Sequence, residues 1–437
     1  MESTFFCQQK MAMTARQYGT PLYLYHLETI GDRYHTLITH LPENVRVHYA
    51  LKANSNLTIC HYLAQQQQAA EVSSLGELMT ALKSGFSPTS IVFTGPGKTD
   101  AELAIALEKG IQLIVVESPN EACRLNHLAA QHGITQDILL RINPQYRTFS
   151  SCDVQACNRN DADLLKPIAM NGQGASKFGV DEADAEAAIA VIQSCDRLNL
   201  RGIHVFTESN VLDYQHLLEA WRNTIHIANR LRQAGHPIAI IDFGGGIGVP
   251  YNTIDRPFDM ERFGSELAEL FASNPYTYDC IVEIGRYLVC EAGYYITDVV
   301  DVKRSQGQRF VILNGGIHHL YRTPAMQNAS KYLQVLDKEN SPYSSATLAG
   351  QLPTPIDVLV RDLLLPDDIQ VGDIVVIRNC GAYGFNHSLT NFALHPHPAE
   401  VASVGDRLEL IRSRGTVEDF FTNQHLLTET QHQLQQV

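Results

Sequence analysis

Over the first two-thirds of the chain, short apolar runs alternate with stretches whose apolar positions recur every three or four residues. The runs are Val45–Lys52, Ala69–Ser73, Ile91–Thr94, Leu113–Glu117, Ile138–Ile142, Leu200–Phe206, Ile238–Phe243 and Cys280–Glu283. In the first, Val45, Val47, Tyr49 and Leu51 alternate with polar residues, which is the period of a strand. It delivers Lys52 at its end, and Ala53-Asn54-Ser55 reads as the cap of a following helix. Between runs, patterns such as Leu217, Leu218, Ala220, Trp221, Ile225, Ile227, Ala228 and Leu231 have helical spacing. Continuous apolar strands alternating with helices predict a parallel sheet covered on both faces. Eight such units within about 250 residues predict a (β/α)8 barrel, with an open doubly wound sheet as the alternative.

The rhythm is interrupted or absent in three places. Residues 1–34 hold a helix-like start and the apolar run Pro21–Tyr25. Arg147–Gly174 shows neither periodicity and reads as a long loop on the active-site face. Beyond about Ala292 the pattern becomes that of strands separated by Gly and Pro: Tyr294–Val302, Arg309–Leu313, Asp373–Arg378 and Glu400–Val404. This predicts a β-rich second domain, followed after Val417 by a polar tail that is either helical or frayed.

Composition narrows the class. A chain of 437 residues with 44% hydrophobic and 18% charged side chains is expected to form two domains. No apolar run is long enough to cross a membrane as a helix, and Met1-Glu2-Ser3-Thr4 lacks a secretory pattern, so a cytoplasmic location is expected. The net charge of −14 argues against nucleic acid or an anionic membrane as partner. Nine scattered cysteines contain no CxxC. The pairs Cys152/Cys157 and Cys280/Cys290 are the nearest, and no metal is expected.

In a barrel, strand-end residues converge on one face. A lysine there is either a surface residue or an amine able to form a Schiff base with a carbonyl cofactor. Asp242-Phe243-Gly244-Gly245-Gly246 follows the seventh run. Successive glycines serve a tight turn or let backbone N–H groups cradle a phosphate. Glu283 and Arg286 end the eighth run. They either pair with each other, or divide into a carboxylate beside a pyridine nitrogen and a guanidinium for an anion. Arg141 ends the fifth run. His204 and Phe206 end the sixth, where the histidine is core or catalyst and the ring is core or a flat face for a cofactor.

These pieces together resemble the fold-type III pyridoxal-phosphate decarboxylases, the diaminopimelate and ornithine decarboxylase family, over roughly residues 20–405. The carriers are Tyr49-Ala50-Leu51-Lys52-Ala53-Asn54, Glu71-Val72-Ser73-Ser74-Leu75-Gly76-Glu77-Leu78, Ser176-Lys177-Phe178-Gly179, Gly244-Gly245-Gly246, Glu283-Ile284-Gly285-Arg286 and Gly381-Ala382-Tyr383. The resemblance implies an alanine racemase-like architecture: a barrel over residues 30–291, and a β-rich domain built from 1–29 and 292–437. It implies a pyridoxal 5'-phosphate cofactor on Lys52, with Glu283 at the ring nitrogen, Gly244, Gly245, Gly246, Arg286 and Tyr383 around the phosphate, and Ser209 among the cofactor-binding residues. Arg141 and Phe206 are placed with the cofactor and His204 among the catalytic groups. Lys177, Arg322, Thr354 and Asp357 are placed with the substrate. A homodimer is implied in which Tyr383 reaches the partner's site.

Gly172-Gln173-Gly174-Ala175-Ser176, Gly285-Arg286-Tyr287-Leu288-Val289 and Asn314-Gly315-Gly316-Ile317-His318-His319 resemble the branch acting on carrier-tethered or natural-product substrates. The expected activity is α-decarboxylation of an amino acid or of an amino-carboxyl group on a larger molecule. Racemization, decarboxylation-coupled transamination and a non-catalytic regulatory role are the alternatives.

Four departures bear on this. Where the family has Cys-Glu-Ser-x-Asp, this chain has Pro353-Thr354-Pro355-Ile356-Asp357, so the proton-donating cysteine and the glutamate for the distal end of diaminopimelate are both missing. Phe206 replaces a ring-stacking histidine, Glu208 replaces a glycine beside the phosphate, and Ile284 replaces a proline.

Overall fold

The computed structural model describes residues 8–66, 69–145, 176–251, 254–321, 332–338 and 340–426. The Arg147–Gly174 loop, Cys152, Cys157 and Arg322 lie outside the described residues, as does the end of the tail. The chain divides into two compact units, Leu27–Pro250 with Ile254–Glu291, and Met1–His26 with Tyr251–Thr253 and Ala292–Val437.

The first unit is a closed barrel. Strands β2 (Val45–Ala50), β3 (Ala69–Val72), β4 (Ile91–Phe93), β5 (Leu113–Val116), β6 (Gln136–Asn143), β8 (Leu198–His204), β9 (Ile240–Asp242) and β10 (Asp279–Ile284) pair in parallel in chain order, skipping the short β7 (Val180–Asp181) on β6. β10 closes on β2. All eight apolar runs are strands, because a strand buried on both faces must be apolar at every position. Val92, Leu113, Val115, Leu139 and Ile281 form one of its apolar clusters.

Cap signals follow β3, β4 and β5 and start the next helix. Ser74, Thr99 and Ser118 accept hydrogen bonds from the backbone N–H three residues on, at Glu77, Glu102 and Glu121. They open α4 (Leu75–Ser84), α5 (Asp100–Lys109) and α6 (Pro119–His132). Gly85, Gly110 and Gly133 close these helices in left-handed conformations. One cap differs from expectation. Leu51–Ala53 is a 3-10 turn, and α3 (Leu57–Gln65) is capped by Asn56, whose side chain accepts from Thr58 N–H. Lys52 therefore sits on a turn beyond the strand.

In the second unit, β1 (Leu22–His26) lies between β11 (Gly293–Ser305), antiparallel, and β17 (Ala399–Val404), parallel. α1 (Gln8–Tyr18) adds Met11 and Ala15 to a core with Leu22, Leu24, Tyr294, Ile296, Val376 and Val401. β12 (Gln308–Leu313), β14 (Tyr343–Ala349) and β15 (Val358–Pro366) extend the sheet on one side and β18 (Arg407–Arg412) on the other. β13 (Leu333–Val335) pairs with β16 (Ile374–Ile377), which pairs with β11. Four of these strands, β13, β14, β15 and β18, are not among the runs expected from the sequence, although β15 carries the apolar triplets Val358–Val360 and Leu363–Leu365. β18 has no buried position, only exposed and half-buried ones.

Candidate active site

Parallel register decides which strand-end side chains meet. Ala50 lies beside Glu71, and His48 beside Glu283. Lys52, two residues past Ala50, consequently reaches both carboxylates: its Nζ donates to Glu71 Oε2 at 2.7 Å and lies 3.8 Å from Glu283 Oε2. Glu71 is fully buried and also accepts from Ser73 Oγ at 2.8 Å and from Thr94 Oγ1. An amine between two carboxylates, with its own side chain 38% exposed, is held in place yet open on one side.

Across β6, β8 and β9 the register aligns Arg141, His204 and Asp242. His204, Asp242 and Glu283 are buried, with ligand-type atoms within 4.8 Å of one another. His204 Nε2 lies 3.3 Å from Glu283 Oε1, outside hydrogen-bonding geometry, and Glu283 Oε1 has no hydrogen-bond partner. Burial alone would raise the Glu283 carboxyl. His204, then Lys52 and Arg141, outweigh it and bring the pKa down to about 2. Burial, then repulsion from Glu283, pushes Asp242 well above the carboxylate range. The two neighbouring carboxyls are thus driven in opposite directions, Glu283 toward its charged form and Asp242 away from it. Asp242 Oδ1 meanwhile accepts from Gly244 N–H at 2.9 Å and ties this trio to the glycine turn.

The glycines line a space that side chains would fill. Gly244 has φ +62° and Gly246 φ +126°. A Cβ on Gly244 would lie 2.6 Å from the Phe206 ring, one on Gly245 2.5 Å from the Glu283 carbonyl oxygen, and one on Gly246 2.9 Å from Leu217. Only glycine satisfies both the backbone conformation and the approach. Arg286 opens the short α10 (Arg286–Val289), and its Nη2 donates to Ser209 Oγ at 3.3 Å. Phe206 is half-buried beside the first glycine.

Arg141 belongs to a buried chain of charges. Its Nη1 donates to Glu117 Oε1 at 2.9 Å, and Glu117 Oε2 accepts from Gly179 N–H at 2.6 Å. The guanidinium lies 4.4 Å from the centre of the Phe178 ring. Glu117 N–H donates to Glu121, whose other oxygen pairs with Lys98 at 2.7 Å. Lys177 is exposed, with its amine 5.1 Å from the Phe178 ring centre.

Three expected site residues belong to the other unit. Tyr383 is half-buried on the Cys380–Gly384 turn with φ +54°. Thr354 is half-buried, and Pro353 beside it is exposed. Asp357 is buried, and both its oxygens accept backbone N–H groups, from Ile317 and Leu352, each at 2.8 Å. It braces two turns.

Sequence reading assigned no role to Glu71, Glu117 or Asp242. Each ends or directly follows an apolar strand, which is the signal that could have found them.

The comparisons fit this arrangement. Residues 27–290 match the model of the pyridoxal-dependent decarboxylase family, pyridoxal binding domain. L-glutamyl-[BtrI acyl-carrier protein] decarboxylase of Niallia circulans is 32% identical, over 95% of this chain and 96% of that protein. A 2-[(L-alanin-3-ylcarbamoyl)methyl]-2-hydroxybutanedioate decarboxylase of Staphylococcus aureus is 31% identical, over 86% and 92%. The diaminopimelate decarboxylase structure from M. jannaschii in co-complex with L-lysine superposes with a TM-score of 0.84 at 28% identity, covering 95% of this chain and 94% of that one. By its sequence and its fold alike, the chain belongs to the pyridoxal-dependent decarboxylases, lyases that work with pyridoxal 5'-phosphate.

Proposed function

We propose that the protein removes the α-carboxylate from an amino-carboxyl group carried on a larger or carrier-tethered molecule. The observation that carries the reading is the Lys52 amine, held against Glu71 and 3.8 Å from Glu283 on the same barrel face as the glycine turn. Bound there, pyridoxal 5'-phosphate would supply an electron sink for breaking the bond between Cα and the carboxylate.

The remaining roles belong to the chain. Lys52 is the attachment point. Glu283, kept ionised, has a buried oxygen with no hydrogen-bond partner, and that oxygen suits a proton on the cofactor's ring nitrogen. Gly244, Gly245 and Gly246, with Ser209 and Arg286, suit a phosphate, because successive glycines let the backbone approach an anion closely. Phe206 offers its flat face to the ring. His204 steadies the charge on Glu283. Arg141, fixed by Glu117, holds the Phe178–Gly179 segment, and Lys177 beside it is assigned to the substrate.

On the substrate side, the side chain at 353 cannot donate a proton, and Thr354 offers no charge to a distal amino acid group. Both favour a substrate other than free diaminopimelate, and the Niallia and Staphylococcus relatives act on decorated substrates by their names. Carbon dioxide release from a glutamyl-loaded acyl-carrier protein, compared with free diaminopimelate, tests this. Faster release from diaminopimelate would refute it. Loss of the family cysteine leaves one second reading, a decarboxylation-coupled transamination, whose products would be an aldehyde and pyridoxamine phosphate.

The working form we propose is a cytoplasmic homodimer in which Tyr383 of the partner subunit completes the phosphate site. All six cysteines among the described residues are free, in keeping with a reducing compartment. Full turnover by a verified monomer would refute the dimer.

A further inference from the structure

The resemblance puts glycine at position 208, beside the phosphate cradle, and this chain has glutamate. A carboxylate there opposes a phosphate dianion through a short, partly desolvated path. The backbone of this segment cannot move away. A Cβ on Gly246 would lie 3.2 Å from the Glu208 carbonyl oxygen. Val211 N–H donates to the Gly246 carbonyl at 2.8 Å, and Gly248 N–H to the Val211 carbonyl at 2.8 Å. Asn210 Oδ1 accepts from Val249 N–H at 2.9 Å.

The side chain is turned instead. Glu208 Oε2 lies 3.0 Å from Nε2 of His216, with both side chains mostly buried, at 21% and 14% exposed. His216 stands in the first turn of α8 (Tyr214–Gln233), which Asp213 caps by accepting from Gln215 N–H. Its neighbour Leu217 is buried and is the side chain nearest the missing Cβ of Gly246. The helix that packs on the third glycine thus also presents the imidazole to Glu208.

We infer that Glu208 and His216 act as a positioning pair for the phosphate site, with His216 drawing the Glu208 carboxylate toward α8 and away from the glycine cradle. This rests on the cofactor reading above and adds a residue, His216, that stands outside the cradle.

The test compares affinity for pyridoxal 5'-phosphate with affinity for pyridoxal, which lacks the phosphate. The chain's single tryptophan, Trp221, reports on this site. Its ring stacks on Phe243 with centroids 4.5 Å apart, and Gly244 follows Phe243. His216→Ala removes the partner that draws the carboxylate toward α8 and is expected to weaken pyridoxal 5'-phosphate roughly tenfold, while changing pyridoxal by less than about twofold. His216→Gln keeps a donor and stays nearer wild type. Glu208→Gln binds the phosphate form at least as well as wild type, and the double variant Glu208→Gln/His216→Ala recovers the lost affinity. Unchanged affinity in His216→Ala would overturn the inference. So would an equal loss for both ligands, or a double variant as weak as His216→Ala. A wild-type protein with no preference for the phosphorylated form would overturn the cofactor assignment itself, a distinct result.

Discussion

Glu283 and Asp357 are both buried carboxylates at the ends of sheets, and their surroundings differ in kind. Glu283 has cations around it, a histidine at 3.3 Å and one oxygen with no hydrogen bond. Asp357 has two backbone N–H groups and no cation within ion-pair distance among the described residues. The first arrangement stabilises a charge and leaves an acceptor open. The second closes the acceptors and fixes a backbone. The difference teaches where this chain kept the family's chemistry and where it changed it. In the proposed reading the barrel retains the cofactor face. In the β-rich unit Asp357 serves as a brace, while the two positions to which the resemblance assigns chemistry hold Pro353 and Thr354.

The comparison breaks first at Lys52. Lys52→Ala is expected to lower decarboxylation by roughly 10³-fold or more and to abolish the cofactor's visible band at Lys52. Retention of a borohydride-reducible band would mean that another amine holds the cofactor.

The next largest effect is on stability. Glu117→Ala leaves Arg141 buried without its partner, at a cost of about 3–5 kcal/mol in urea denaturation. It should also loosen the Phe178–Gly179 segment, visible as faster amide exchange at Gly179. A loss under about 1 kcal/mol would show that Arg141 finds another anion.

Asp357→Ala sharpens the contrast with Glu283. Two buried N–H groups lose their acceptor, which costs roughly 2–5 kcal/mol. Cofactor affinity should fall far less than stability, because the proposed phosphate and ring contacts, Tyr383 apart, belong to the barrel unit. Glu283→Gln is expected to show the reverse, with little change in stability and a large fall in turnover.

The smallest effect concerns pH. Burial, then the neighbouring His395, lowers His318 from 6.5 to about 4, and neither of its ring nitrogens is hydrogen-bonded. The folded state therefore keeps His318 neutral where the unfolded chain binds a proton. Its contribution is present above about pH 6.5 and is lost as pH falls toward 4. His318→Leu should reduce the pH slope of stability in that window by about one proton. An unchanged slope would show that His318 titrates alike in the folded and unfolded states.

The barrel's eight strands were legible because burial on both faces forces continuous apolar runs, and helices such as α8 because their apolar positions recur at helical spacing. Lys52, the three glycines and the Glu283–Arg286 pair were legible as strand-end residues and as motifs. β14 and β18 were not, since Tyr343-Ser344-Ser345 and the mixed Arg407–Arg412 carry the composition of loops and gain their partners only from the sheet.

The sequence by itself determined the periodicities, the turns that only glycine permits, and which chemical groups stand at strand ends, because these depend on neighbours along the chain. Tertiary structure alone decided who meets whom. Parallel register brings Glu71 to Lys52 from 19 residues away and Glu283 from the last strand. It sets Asp242, its acidity weakened by burial, beside Glu283, its acidity strengthened by neighbouring cations, two carboxyls with similar intrinsic acidity. Loop and helix packing brings Glu208 to His216 on the next helix. Charge and hydrogen-bond partners act through space over a few ångströms, and the strand order that sets those distances is fixed only when the barrel closes.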